Sequence, residues 1–527
     1  MGFVGWYETN IVGILSILGF FFCITLFSLD WKRIIGTFAA VGKSTWLLLF
    51  LITLVGAIIR IFLIPSFHQM YVDEPMYIEQ AKNINQQGKI VSCVWTWEGS
   101  HCWSVLTKGP LWPFILSLAF RALGSSSSVA FMVTQAFALL TIALSFIFCY
   151  LVFKRSGIGL WCSIFFALSP LHAVWSNTVE TSMPALFFVM LTFISFLLFT
   201  RLPSIPMGVF TGLVFLFSVF IRYENLLLTP VFLLLLLLNA KSLPSSVKRS
   251  ISALMPAIAT LIGLLTFTLF FFTIEFYMRN LSNFLPHFYA FNLPFYLKHL
   301  SLNFTLLIPG IFGLVLLGKN QIKLCLIGIP LLISSIIYIP LSYESRMILI
   351  PFFFFSVCAA YGAEELAQKA KRHQALFRAS ALLLLLAVSA FSLSPAQREP
   401  LYKKYPSLNM LETFSASTLH ETVPSNCTII SQFPAITNAA TDSIGMETSY
   451  ALQNPSIIQS LLAKNECVYY FYDHYCYRIV SDSSANCKRM MDTFKLLPEA
   501  NYPNGDKAYT LYRVVGLTDY HNGGDKA

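Results

Sequence analysis

Charge is what this sequence has least of: Asp, Glu, Lys and Arg together supply 11% of its 527 residues, against 56% hydrophobic. Soluble domains carry about a quarter charged residues, so this chain cannot cover a water-facing surface along most of its length. Apolar runs of helix-spanning length recur from Ile11 to Leu393, and the bilayer is the solvent that suits them. Acidic residues are scarcer than basic ones, 25 against 35, which leaves a net charge of +10. That balance suggests nucleic acid in a soluble protein. Here no basic, aromatic-interleaved patch is present, and the cations sit mainly in short turns between apolar runs. This is the pattern of the positive-inside rule, so no nucleic-acid partner is expected. Three other absences narrow the reading. No CxxC spacing occurs, which argues against metal binding by the cysteines; no nucleotide-binding glycine loop is present; and no internal repeat, inverted or parallel, is visible.

What is there reads as a polytopic α-helical membrane protein of about twelve transmembrane helices with a small C-terminal α/β domain. The first run, 11–29, lies too far from a basic n-region for a cleaved signal, and Lys32, Arg33 and Lys43 follow it. Residues 1–44 thus form one N-terminal span and a cytoplasmic turn, with the N-terminus outside. A second run covers 46–65. Further spans are expected at 127–153, 158–171, 183–199, 206–221, 226–239, 251–274, 303–318, 322–340, 347–363 and 377–394. Lys154 and Arg155, Arg201, Lys241 with Lys248 and Arg249, Lys319 with Lys323, and Lys369 through Arg378 then all fall inside. The spans 158–171 and 226–239 are short, which suggests broken or tilted helices shielded by neighbours.

The same parity leaves two regions on the exoplasmic face: a large first loop, 66–126, inside a membrane domain 45–395, and the tail 396–527. In the tail, Cys427–Phe433, Cys467–Tyr472 and Ala508–Val515 read as strands, and Pro455–Lys464 and Cys487–Leu497 as helices. Cysteines follow the division. Cys23, Cys149, Cys162, Cys325 and Cys358 fall in spans, as small buried hydrophobes. Cys93 and Cys102 in the loop, and Cys427, Cys467, Cys476 and Cys487 in the tail, form an even set on one face, as expected of disulfides in an oxidising compartment. Cys93 with Cys102 is the expected pair; the tail allows three pairings.

The chemistry-bearing residues cluster at the exoplasmic rim. The loop opens HQMYVDEPMYIEQAKNI, where Asp73, Tyr77 and Ala81 share helical spacing with Glu74 and Ile78 alongside. A short juxtamembrane helix would present Asp73 and Tyr77 on one side; an ordinary solvated loop face is the plainer reading. Lys108 follows in LTKGPLW, before an amphipathic piece, Leu111–Leu123, too short to span, and either anchors to head groups or binds a lipid phosphate. Later turns carry Glu180, Arg222 with Glu224, and Glu344 with Arg346, charges that are expensive next to hydrocarbon and tend to be paired, interfacial or functional.

In their order and spacing these elements resemble the GT-C glycosyltransferases of the protein O-mannosyltransferase and aminoarabinose-transferase type (glycosyltransferase family 39). The matching elements are Asp73-Glu74, Tyr77 and Ala81; Lys108-Gly109-Pro110; and Phe120 through Gly124. Ser169-Pro170 with Glu180 downstream, Arg222-Tyr-Glu224, and Ser345-Arg346 with Pro351 continue the pattern. The resemblance covers about 45–395. Gly109 stands where the family more often has a proline, the N-terminal span is extra, and the tail lacks the β-trefoil of eukaryotic protein mannosyltransferases. The resemblance implies a GT-C fold and transfer of a sugar from a polyprenyl-phosphate donor to an exoplasmic hydroxyl or phosphate, with inversion. Asp73 would be the general base, and Glu74 would orient Asp73's partners or the acceptor. Lys108, Arg222 and Arg346 would stabilise the departing phosphate, with Tyr77, Glu180, Glu224 and Glu344 as further substrate contacts. No cofactor is required; a divalent metal is compatible but not indicated. Partners would be the lipid-linked sugar, membrane lipids, and a glycolipid, polysaccharide or protein acceptor. The plasma (inner) membrane is the expected location, with the active site and tail periplasmic; sequons at Asn280, Asn303 and Asn426 leave room for an endoplasmic-reticulum membrane. A multi-pass transporter or lipid flippase is the rival class, for which repeats and charges near the midplane would be expected.

Overall fold

Long apolar stretches with their charges pushed to the ends become helices, since in hydrocarbon only a helix satisfies its own backbone. In the computed structural model the described residues are 28–64, 73–103, 109–239, 304–318, 326–335, 348–392 and 419–518, apart from short runs inside these ranges. Among them four helices are long and apolar enough to cross a membrane: Lys43–Leu63, Ser127–Phe153, Ser182–Arg201 and Leu349–Lys369. The span expected at 251–274 lies outside the described residues. We label α1 (Lys43–Ile58, continued by a π-turn Ile59–Leu63), α2 (Asp73–Gln87), α3 (Leu111–Leu123), α4 (Ser127–Phe153), α5 (Ser156–Leu168), α6 (Pro170–Trp175), α7 (Ser182–Arg201), α8 (Ile205–Ile221) and α9 (Leu349–Lys369).

Much of the bundle's packing is between bulky rings. Phe353 of α9 meets Phe148 of α4 with ring centres 5.0 Å apart, and Phe354 meets Phe193 of α7 at 5.1 Å, both edge to face. Where helices come closest, glycine makes the room. A side chain at Gly362 of α9 would run into the Pro309 carbonyl of the helix Phe304–Leu317. One end of the bundle is basic. Lys154 caps α4 in a left-handed conformation, Arg201 donates to the Leu151 carbonyl, and Arg155 pairs with Glu365 of α9 at 2.5 Å.

The other end carries a single mixed sheet drawn from two distant parts of the chain. Its strands are β1 (Ser92–Thr96), β2 (Gly99–Trp103), β3 (Thr428–Ser431), β4 (Gly445–Glu447), β5 (Val468–Tyr472), β6 (Phe494–Asn504) and β7 (Lys507–Leu517). The order is β2-β1-β4-β3-β5-β7-β6. The first loop's hairpin β1–β2 therefore joins the tail's sheet, through a parallel pairing of Trp95 with Met446. Two disulfides select among the tail's alternatives, Cys427–Cys467 and Cys476–Cys487. Cys93 is also disulfide-bonded, and the hairpin register sets Cys102 directly opposite it. Cys149, Cys162 and Cys358 are buried free thiols in the bundle. One element differs from the sequence reading. The helix expected at Cys487–Leu497 instead runs Ser481–Thr493 (α11), and Phe494 begins β6. Pairing of Phe494 with Leu517 draws this segment into the sheet, a tertiary override of local helix preference.

Helix α2 is bolted to this sheet by a buried carboxylate. Glu79 accepts from Ser92 Oγ at 2.5 Å, from the Cys93 amide at 2.8 Å and from Asn438 Nδ2 at 2.8 Å. Asn438 lies on α10 (Pro434–Ala440), in the tail. Burial pushes the Glu79 carboxyl above the ordinary carboxylate value, against the opposing pull of these donors and of Lys82. An acid with a raised native pKa holds its proton more tightly folded than unfolded. Its contribution to stability is therefore full below the unfolded value of 4.5 and is lost as pH rises through the raised native one. Wild type should lose thermal stability relative to Glu79→Gln as pH is raised from the unfolded value toward neutrality. A gap between the two that does not change with pH would contradict this.

Candidate active site

The site is assembled around the start of α3. Gly109 lies against the last turn of α8, where any side chain would run into the carbonyl oxygens of Phe220 and Ile221. Three residues on, Trp112 is fully buried and its Nε1–H donates to the Val179 carbonyl at 2.9 Å. One loop–helix junction thus touches two of the three later turns that carry charge. Glu180 is 2% exposed, within a run from Ser176 to Ser182 that is buried throughout.

Arg222 follows Ile221 directly. Its backbone is extended and its amide caps α8 by donating to the Ser218 carbonyl at 3.1 Å. Asn225 Nδ2 donates to that same carbonyl at 2.9 Å, which fixes the turn. The Arg222 guanidinium then reaches two groups: Ser182 Oγ at 3.4 Å, at the first turn of α7, and Glu224 Oε1 at 3.3 Å. A guanidinium beside a helix N-terminus makes an electropositive spot, with Glu224 as its resident partner.

Helix α2 brings the other carboxylates. Asp73 begins it, and Glu74 and Tyr77 lie on it at 0% and 4% exposure, with Ala81 and Ile78 buried beside them. The helical spacing read from the sequence is thus realised, and α2 packs against α3. The structure therefore gathers the α2 face, the Gly109 turn, Glu180, Arg222 and Glu224 around α3. Lys108, Glu344 and Arg346 lie outside the described residues. Among the described residues no group of three His, Cys, Asp or Glu side chains is placed to hold a metal.

A polar device beneath the site does not stand out in the sequence. Pro170 has no amide, so the Phe166 carbonyl at the end of α5 lacks its helical donor. Arg60, fully buried in the π-turn after α1, supplies one: Nη2 reaches the Phe166 carbonyl at 3.0 Å, and Nη1 the carbonyls of Ala167 at 3.1 Å and Gly56 at 2.7 Å. Nη2 also lies 2.6 Å from His172 Nδ1. Arginine only donates, so Nδ1 accepts and the imidazole proton is on Nε2, donated to Thr141 Oγ1 at 2.8 Å. The only local signal was an arginine inside the apolar run LVGAIIRIFLI. Further on, Gln135 Nε2 holds Asn177 Oδ1 at 2.5 Å, steadying the buried run that leads to Glu180.

No family model matches the sequence, and no curated protein matches it either. Solved structures do match in fold. ArnT from Cupriavidus metallidurans in the apo state aligns with a TM-score of 0.56 at 11% identity, over 90% of this chain and 98% of that one. The same protein bound to undecaprenyl phosphate aligns at 0.55 and 12% identity, over 90% and 98%. The Archaeoglobus fulgidus oligosaccharyltransferase AglB, in complex with an inhibitory peptide and a dolichol-phosphate, aligns at 0.51 and 12%, over 89% and 74%. At such identities the likeness is one of fold alone: the chain has the architecture that ArnT and AglB share, the GT-C fold.

Two substitutions test this geometry. Gly109→Ala should lower stability by about 1–3 kcal/mol, because the clash is with backbone carbonyls that cannot rotate away. Arg60→Lys should cost about 1–3 kcal/mol, because a single ammonium cannot reproduce the guanidinium fork. Thermal unfolding in detergent reads both; unchanged midpoints would contradict the contacts described.

Proposed function

We propose that this protein is a glycosyltransferase that moves a sugar from a polyprenyl-phosphate carrier to an acceptor hydroxyl or phosphate at the exoplasmic face. The observation that carries the reading is Arg222, a largely buried guanidinium at the rim of a GT-C bundle, set beside the first turn of α7 and next to the Gly109 turn. That is chemistry suited to a phosphate dianion rather than to a neutral sugar. ArnT binding undecaprenyl phosphate and AglB binding a dolichol-phosphate support the same donor class.

In this reading the lipid tail lies among the spans, and Lys108, Arg222 and Arg346 receive the charge that develops on the phosphate as the anomeric C–O bond breaks. Asp73 takes the proton of the attacking hydroxyl, and Glu74 orients Asp73's partners or the acceptor. Tyr77, Glu180, Glu224 and Glu344 complete the substrate surroundings. One displacement through an oxocarbenium-like state gives inversion. The leaving group is already a phosphate, so no general acid is needed. Residue chemistry here neither demands a divalent metal nor opposes one; the A. fulgidus enzyme has been crystallised with Zn and sulfate. The basic end formed by Lys154, Arg155 and Arg201 supports placing the sheet and site on the exoplasmic side. Glycolipid, polysaccharide and protein hydroxyls all suit as acceptors.

The test is release of polyprenyl phosphate by purified protein in nanodiscs, given a panel of polyprenyl-phosphate sugars and a membrane lipid extract. Wild type should release it. Asp73→Asn should slow release by about 100-fold or more, the usual contribution of a general base. Arg222→Ala should weaken donor use as well. No release by folded wild type with any donor would sink the reading and favour a transporter, whereas equal release by Asp73→Asn would remove Asp73 as the base.

A further inference from the structure

We propose that Asn438, in the C-terminal sheet domain, is a positioning residue for the transfer reaction, holding α2 and its first-turn carboxylates in place through Glu79. The inference rests on the function proposed above.

Asn438 is buried and joins three parts of the molecule. Its Nδ2 donates to Glu79 Oε1 of α2 at 2.8 Å and to the Cys93 carbonyl of β1 at 2.7 Å, while its Oδ1 accepts from the Gly445 amide of β4 at 2.6 Å. Such a node needs a side chain that is donor and acceptor at once. A carboxylate there would face both the Glu79 carboxylate and a carbonyl oxygen, and alanine would take one hydrogen bond from each of three buried groups. The approach is tight by construction, since a side chain at Gly445 would come within 2.8 Å of Asn438 Oδ1 and of Pro434 Cβ.

Two more bonds spread the attachment along the same helix. Lys82 Nζ reaches the Thr441 carbonyl just past α10 at 3.4 Å, and Asn83 Nδ2 donates to the Val91 carbonyl at 2.9 Å. Positions 79 and 82 of α2 are therefore tied to the tail, and position 83 to the residue that leads into β1. Asp73 lies six residues before Glu79 on the same rigid helix, a rise of about 9 Å. Any rotation or slide allowed at Glu79 is carried to the carboxylates at 73 and 74. Arg222 belongs to the bundle and is untouched by such a shift. Asn438 should accordingly govern the rate of the chemical step and leave lipid-phosphate binding alone.

The test uses full-length protein in nanodiscs, with Asn438→Ala and Asn438→Asp. Three quantities are read: kcat for release of polyprenyl phosphate, direct binding of polyprenyl phosphate, and amide hydrogen exchange. Both variants should lose kcat, by up to about 100-fold for a displacement near 1 Å, with affinity unchanged and faster exchange confined to 73–87 and the neighbouring hairpin. Asn438→Asp should be the worse, and Glu79→Gln should restore part of its kcat, because a glutamine amide can donate to the new carboxylate. Unchanged kcat would overturn the proposal. So would kcat and affinity falling in parallel with the folded fraction, or a pair Glu79→Gln, Asn438→Asp no better than Asn438→Asp alone. If wild type releases nothing from any donor, the functional reading fails by itself; the exchange data then decide the positioning, and unchanged protection over 73–87 in Asn438→Ala overturns it.

Discussion

A proline at the end of a buried helix leaves a carbonyl with nothing to accept from, and in hydrocarbon that debt is several kcal/mol rather than the fraction that water would charge. Pro170 creates it, and Arg60 settles it by donating to the Phe166 and Ala167 carbonyls from a neighbouring span. Much of the site's geometry depends on this exchange. The break ends α5, turns the chain into α6, and delivers the buried run 176–182 to the rim, where Val179 receives Trp112 and Glu180 follows. A straight helix through residue 170 would have carried those residues along the bilayer normal instead. Glycine at 56 belongs to the same device, for a side chain there would come within 3.2 Å of Arg60 Nη1 and collide with Ile142.

A second constraint is the contact at Gly109. Three elements meet there with no room for a Cβ: the α3 entry, the end of α8, and the turn that bears Arg222. This accounts for the departure from the family pattern at that position. Proline would have stiffened the turn; glycine instead lets two backbones touch, that of the α3 entry and that of the end of α8 beside the Arg222 turn.

What could be read from the residues, and what could not, follows the distance over which each feature is determined. Helix α2 was legible because Asp73, Tyr77 and Ala81 repeat at the helical period, and Arg222 with Glu224 because charge beside hydrocarbon is conspicuous. The short span at 158–171 was legible as broken or tilted from its length, and the structure places the break at Ser169-Pro170. Arg60 was not, because its partners Phe166, Ala167 and His172 lie 106, 107 and 112 residues away. The disulfides Cys427–Cys467 and Cys476–Cys487 could not be chosen from three pairings without the sheet that brings β3 beside β5. The β1–β2 hairpin had strand-type residues in VSCVWTW, yet its place in the tail's sheet rests on pairing across about 350 residues, for which no local period exists.

That pairing changes what the tail is. A two-stranded hairpin on its own is marginal in water, so β1 and β2 need β4, while α2 turns one face, Tyr77, Ile78 and Ala81, to the bundle core and leaves polar side chains to be held elsewhere. Glu79 and Lys82 bond Asn438 and Thr441 of the tail, Glu79 also bonds Ser92 and Cys93 of β1, and Asn83 bonds Val91 just before β1. The tail is therefore the second support of α2, α3 being the first, rather than a module hung from the last span. A separate acceptor-binding domain on a linker would be free to move against the rim, whereas this one shares hydrogen bonds with the helix that begins at Asp73. Helix α2 and the sheet therefore form one hydrogen-bonded unit, in which a change at Asn438 of the tail is felt at Glu79 of the first loop.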